Sequence, residues 1–90
     1  MLDLGHGVTL TFTAWKEYER AGFLQEHDRS DGGGRCWSGG MFELPGVQEA
    51  FPEHVRWTVV EFDPLTLEPS LLCRLCGNHG FVRDGRWIPA

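Results

Sequence analysis

Hydrophobic and polar positions alternate along most of this chain, with the two-residue period of a β-strand. In "GVTLTFTAW" (7–15), Val8, Leu10, Phe12 and Ala14 fall on one side and Thr9, Thr11 and Thr13 on the other. That segment predicts a half-buried strand. "HVRWTVVEF" (54–62) is the strongest strand signal. Val55, Trp57 and Val59 make one face apolar, Val60 and Phe62 the other, which places it centrally in a sheet. "DPLTLEPSLL" (63–72) alternates through Leu65 and Leu67 between Pro64 and Pro69, neither of which can donate to a ladder. In "FVRDGRWI" (81–88), two β-prone runs flank Asp84-Gly85. That dipeptide suits a type I′ hairpin turn, which needs positive φ at both central residues.

The remaining segments are less regular. In "AWKEYERAGFL" (14–24), Trp15 and Tyr18 could share a helical face, but Gly22 follows soon, and a turn followed by a strand over 21–26 is favoured. "MFEL" (41–44) reads as a short strand ended by Pro45-Gly46. "VQEAFPEH" (47–54) holds one helical turn with Val47, Ala50 and Phe51 on a face, stopped by Pro52. "HDRSDGGGRCWSGG" (27–40) is a loop by composition. The expected fold is mainly β: a small single domain over 1–90 with a β-sheet of about six short strands, a glycine-rich loop, a C-terminal β-hairpin and at most one short helix.

Length changes the picture by limiting the core. A chain of 90 residues buries about 60–65% of its unfolded surface, so a staple such as a metal or a partner is expected. Charge narrows the partners. With 13 acidic and 8 basic side chains the net charge is −5, which lacks the footprint of phosphate binding and argues against nucleic acid. Arg74, Arg83 and Arg86 are the only basic cluster, and a hairpin's solvated face explains them. The start "MLDLGHGV" has neither a basic n-region nor an apolar run of signal-peptide length. No stretch approaches the ~20 apolar residues that span a bilayer. These features lead to the expectation of a cytoplasmic chain with no membrane partner. Three cysteines exclude a full disulfide framework, and in a reducing compartment thiols stay free or bind metal.

The candidate chemistry lies in "LLCRLCGNHGF" (71–81). Cys73 and Cys76 form a Cys-x-x-Cys pair followed by Gly77, and His79 stands three residues beyond Cys76. Zinc takes four such ligands in a tetrahedron. Cys36 is the only other cysteine, so the expected ligand set is Cys36, Cys73, Cys76 and His79, with His27 as the alternate ligand. That set would pin the glycine loop to the C-terminal hairpin. The bland alternative is two buried cysteines acting as small hydrophobes beside a surface histidine. A thiol–disulfide couple is a weaker reading, because such pairs sit at helix N-termini. Glu26, Asp28, Glu61 and Asp63 are candidate carboxylates for a catalytic metal, but none has a metalloenzyme spacing. Trp37, in the glycine loop, would lid the metal or anchor a partner.

The tail "DPLTLEPSLLCRLCGNHGFVRDGRWIPA" resembles the endings of a group of small proteins without an assigned activity, many encoded by phages of actinobacteria. The resemblance runs through the 67–71 strand, Cys76 with His79, Phe81, and Asp84-Gly85. It implies a Cys/His metal site and a phage origin. The group's upstream loop carries a His and closely spaced Cys residues, matched loosely here by His27 and Cys36. This chain has one cysteine there and gains Cys73, which leaves the fourth ligand open between Cys73 and His27.

Taken together, the expected function is a small zinc-binding accessory phage protein, a non-catalytic module that binds a host or phage protein in the host cytoplasm. A small metal-dependent hydrolase using the same site is the alternative. A nucleic-acid-binding zinc ribbon is a second alternative, and it requires Arg74, Arg83 and Arg86 on one face beside Trp87.

Overall fold

In a computed structural model, which describes residues 1–90, the alternating segments fold as nine strands and one helical turn. Strand β1 (Leu2–Gly5) pairs antiparallel with β2 (Val8–Trp15), β2 with β3 (Tyr18–Asp28), and β3 with β4 (Arg35–Phe42). A single turn, α1 (Val47–Ala50), buries Val47 and leads into β5 (Arg56–Phe62). The crossover lets β5 run parallel to β4, pairing Met41 with Arg56 and Phe42 with Trp57. Strand β6 (Leu65–Glu68) completes a six-stranded sheet in sequence order. A separate sheet holds β7 (Leu71–Leu72), β8 (His79–Arg83) and β9 (Arg86–Pro89). No helix is long and apolar enough to cross a membrane.

The period of two decides what is buried. Val8 and Leu10 of β2, Leu65 and Leu67 of β6, and Val82 and Trp87 of the last hairpin all point into one core. Phe42 lies at its centre with no exposed surface. Its ring stacks on Phe23 at 5.5 Å and meets Phe12 and Phe62 edge-on at 6.1 and 5.8 Å. The small sheet closes this core, because β1 contacts β9 and β6 contacts β8. The Asp84-Gly85 turn has φ of 51° and 72°, as its sequence demands. Gly85 donates its N–H to the Leu65 carbonyl at 2.9 Å, and Asp84 donates to Thr66 Oγ1 at 3.0 Å, tying the hairpin tip to β6.

Three details differ from the sequence reading. Strand β1 lies in a stretch to which the sequence reading assigns no element; its last residue, Gly5, and the two that follow, His6 and Gly7, all have positive φ. The 27–40 segment is a hairpin rather than a long loop: β3 runs through Asp28, β4 begins at Arg35, and the ladder is continuous from Gly22–Met41 to Asp28–Arg35. Glycine composition misleads there because Gly40 serves packing, and the Trp57 ring occupies the space its side chain would fill. Val60 is exposed rather than packed, since a bulge between Val59 and Glu61 shifts the register of β5.

Gly80 plays the same part under Trp87. A Cβ at Gly80 would lie 2.5 Å from the Trp87 ring and 2.8 Å from the Ile88 carbonyl. Gly80→Ala is therefore expected to destabilise the fold by about 1–3 kcal/mol through overpacking. The check is the urea midpoint, which should fall with its slope unchanged; an unshifted midpoint would mean Trp87 does not press on this strand.

Candidate metal centre

The buried face of β3 does not stop at the hydrophobic core. Ala21, Phe23, Gln25 and His27 alternate inward, and His27 ends the row with no exposed surface. The β3–β4 register sets Cys36 directly opposite His27. One hairpin thus delivers an imidazole and a thiol side by side at the closed end of the sheet.

The other two side chains come from the turn between β7 and β8. Cys73 donates its N–H to the Asn78 carbonyl at 2.8 Å, and Gly77 donates to the Cys73 carbonyl at 2.7 Å. Gly77 has a φ of 82°, which favours glycine after the second cysteine. The Ser30 hydroxyl donates to the Cys76 carbonyl and joins this turn to the β3–β4 loop. The loop is itself held by Asp31, which accepts from Arg29 at 2.8 Å and from the Gly33 N–H at 2.9 Å. The Arg29 guanidinium, followed by that N–H, holds the Asp31 carboxyl down at about 2.

The ligand atoms of His27, Cys36, Cys73 and Cys76 all lie within 4.8 Å of one another. Cys36 Sγ is 3.6 Å from Cys73 Sγ, and Cys76 Sγ is 3.3 Å from His27 Nε2. A tetrahedron with zinc's ordinary bond lengths has edges of about 3.8 Å between sulfurs and about 3.5 Å from sulfur to nitrogen. All three cysteines are free. The donor set can hold a metal ion: four soft or borderline ligands converge, and His27, Cys36 and Cys73 are buried. Packing two buried thiols and a buried imidazole against a third, half-buried thiol is unfavourable unless their polar atoms are satisfied. A cation would satisfy His27 Nε2 and the three sulfurs together.

The thiols are not equivalent. Burial pushes the Cys36 thiol up, and contact with Cys73 and Cys76 adds to the rise. Burial also acts upward on Cys76, but hydrogen bonds from the Ser30 and Asn78 backbone, His27 and Cys73 outweigh it and bring this thiol down to about 6. Cys76 is also the most accessible of the three. In the folded, zinc-loaded protein, iodoacetamide is therefore expected to modify Cys76 first, because it is the one thiol of the cluster that is not buried. Peptide mass mapping checks this; equal rates at all three cysteines would contradict it.

His79 stands outside the group. It begins β8, is exposed, and its Nε2 lies 2.8 Å from Ser70 Oγ. The reason is strand alternation: Gly80 faces inward under Trp87, so His79 faces out. The structure thus brings together the three expected cysteines and the alternate histidine, His27, in place of His79. No carboxylate belongs to the cluster, and Asp28 instead accepts from Arg35 at 3.2 Å. Arg74 sits in the cysteine turn at one end of β8, Arg83 and Arg86 at the hairpin tip at the other, and Trp87 is buried. The shared arginine face required of a nucleic-acid ribbon is not formed. Ser30, which locks the two loops together, was invisible in the sequence because nothing local marks it.

Comparison with family models, curated proteins and solved structures gives no match.

Proposed function

We propose that His27, Cys36, Cys73 and Cys76 hold one Zn²⁺ ion in a closed structural site, and that the domain so stapled is a non-catalytic protein-binding module. The observation that carries this is the convergence of four ligand atoms within 4.8 Å from two hairpins far apart in sequence. Three thiolates and an imidazole are the donor set of structural zinc, and a catalytic zinc keeps one position for water. With four protein ligands and no carboxylate in the cluster, the arrangement supports a structural role over the hydrolase alternative.

Three free thiols suit a reducing compartment such as the cytoplasm of a host cell. The phage origin rests on the resemblance of the C-terminal third, and a host or phage protein is the partner in this reading. The acidic balance and the separation of Arg74 from Arg83 and Arg86 support protein over nucleic acid.

Cobalt substitution tests the site. Co²⁺ in a site of three thiolates and one imidazole is expected to give intense tetrahedral visible bands and a thiolate charge-transfer band, displaced stoichiometrically by Zn²⁺. The weak spectrum of an octahedral ion would contradict a closed site.

A further inference from the structure

Exposed apolar side chains are not scattered evenly over this domain. Of eight large ones, Trp37, Val55, Leu72 and Leu75 gather around a single groove, each more than half exposed. The groove has a volume of about 390 Å³ and runs between β4 on one side and β7 with the cysteine turn on the other. Contiguous exposed apolar surface of this kind marks interaction sites.

One wall of the groove is an unpaired strand edge. Met41 donates its N–H to the Val55 carbonyl, so odd-numbered residues of β4 direct their backbone groups away from β3. Pairing with β5 covers only Met41 and Phe42. Trp37 and Gly39 therefore direct their N–H and C=O groups into the groove, and no other strand pairs with them. A free edge beside apolar surface is the template for strand addition.

Charge selects the occupant. Arg74 is the only charged residue lining the groove, it is exposed, and it has no ion-pair partner. A second copy of this chain would bring another Arg74 and another net charge of −5 to a two-fold contact, which sets like charges together. A foreign extended segment that sets a carboxylate on Arg74 replaces the like-charge contact in the groove with an opposite-charge one.

We infer that this groove receives an extended peptide segment of a partner protein, apolar at alternate positions and carrying a carboxylate, which adds as a strand to the free edge of β4 and places its carboxylate on Arg74. This deepens the proposed binding role and rests on it. The metal and the groove are coupled through the chain: Arg74 and Leu75 lie between Cys73 and Cys76, so the metal holds the wall that the peptide would meet.

The test is selection of a displayed library of random peptides against the zinc-loaded protein, followed by titration of the synthesised winners. The expected result is a shared pattern of alternating apolar residues with an acidic one. Binding should fall by about tenfold or more in both Arg74→Glu and Leu75→Glu. Both side chains are exposed, so zinc content and melting temperature should not change. Bound peptide should also slow amide exchange at Trp37 and Gly39. The inference is overturned if no sequence is enriched, if the winners tolerate both variants, or if those two amides exchange as before. It is equally overturned if sedimentation shows a dimer that Leu75→Glu disperses, which would make the groove a self-interface. Zinc content separates the two failures: metal retained without peptide binding removes the groove alone, whereas no metal removes the stapled-module reading.

Discussion

Cys36→Ser is expected to leave a chain that neither retains zinc nor stays folded at physiological temperature. Cys36 is buried beside Cys73 and directly across the ladder from His27, so its sulfur joins the hairpin to the cysteine turn. A serine hydroxyl is a poor zinc ligand and would be a buried polar group without a partner. The free energy at stake is large. Structural zinc in small peptides contributes about 10–16 kcal/mol of apparent binding energy, against a total stability of about 5–15 kcal/mol for an ordinary domain. Metal analysis and circular dichroism on the same sample measure both losses. Cys36→Ala, which removes the sulfur without adding a hydroxyl, should fail in the same way. A variant that keeps its zinc and its melting temperature would show that Cys36 is only a small core residue.

The two histidines give the sharpest contrast. His27→Ala should abolish stoichiometric zinc binding and lower the melting temperature by tens of degrees, since it removes a ligand and leaves a cavity where the side chain is wholly buried. His79→Ala should retain the metal and cost less than about 1 kcal/mol, because it breaks one exposed hydrogen bond to Ser70. Paired zinc titrations and melts decide it. If His79→Ala loses the metal and His27→Ala does not, the cluster described above is not the binding site.

The contrast also shows where a sequence stops being readable. Cys-x-x-Cys-Gly is local, and its two thiols are legible because four residues of chain bring them together. Cys36 was legible by count, as the only cysteine left. His27 needed the register of β3 on β4, and register depends on where the hairpin turns. Glycines at 32–34 and again at 39–40 offered two places to turn, and only the packing of Trp57 on Gly40 shows which of them belong to a strand. His79 looked attractive because it stands close to Cys76 in sequence, yet strand alternation turns it outward. The hairpin at Asp84-Gly85, the strands through Trp57 and Leu65, and the helical turn at Val47 were legible because each carries its own period or turn chemistry. Strand β1 was not, because positive-φ residues follow its four positions at once. The closure of the core by the small sheet depends on contacts between distant elements and leaves no local signal.

Zinc content measured together with folding tests the central claim most directly. Protein purified without a histidine tag is analysed for metals, weighed by native mass spectrometry before and after chelation, and followed by circular dichroism throughout. The expected result is one zinc per chain, with loss of β structure when it is removed and recovery when it is returned. A folded chain that carries no metal as isolated, and gains neither mass nor stability when zinc is added, would contradict it and reduce His27, Cys36, Cys73 and Cys76 to a packed polar cluster.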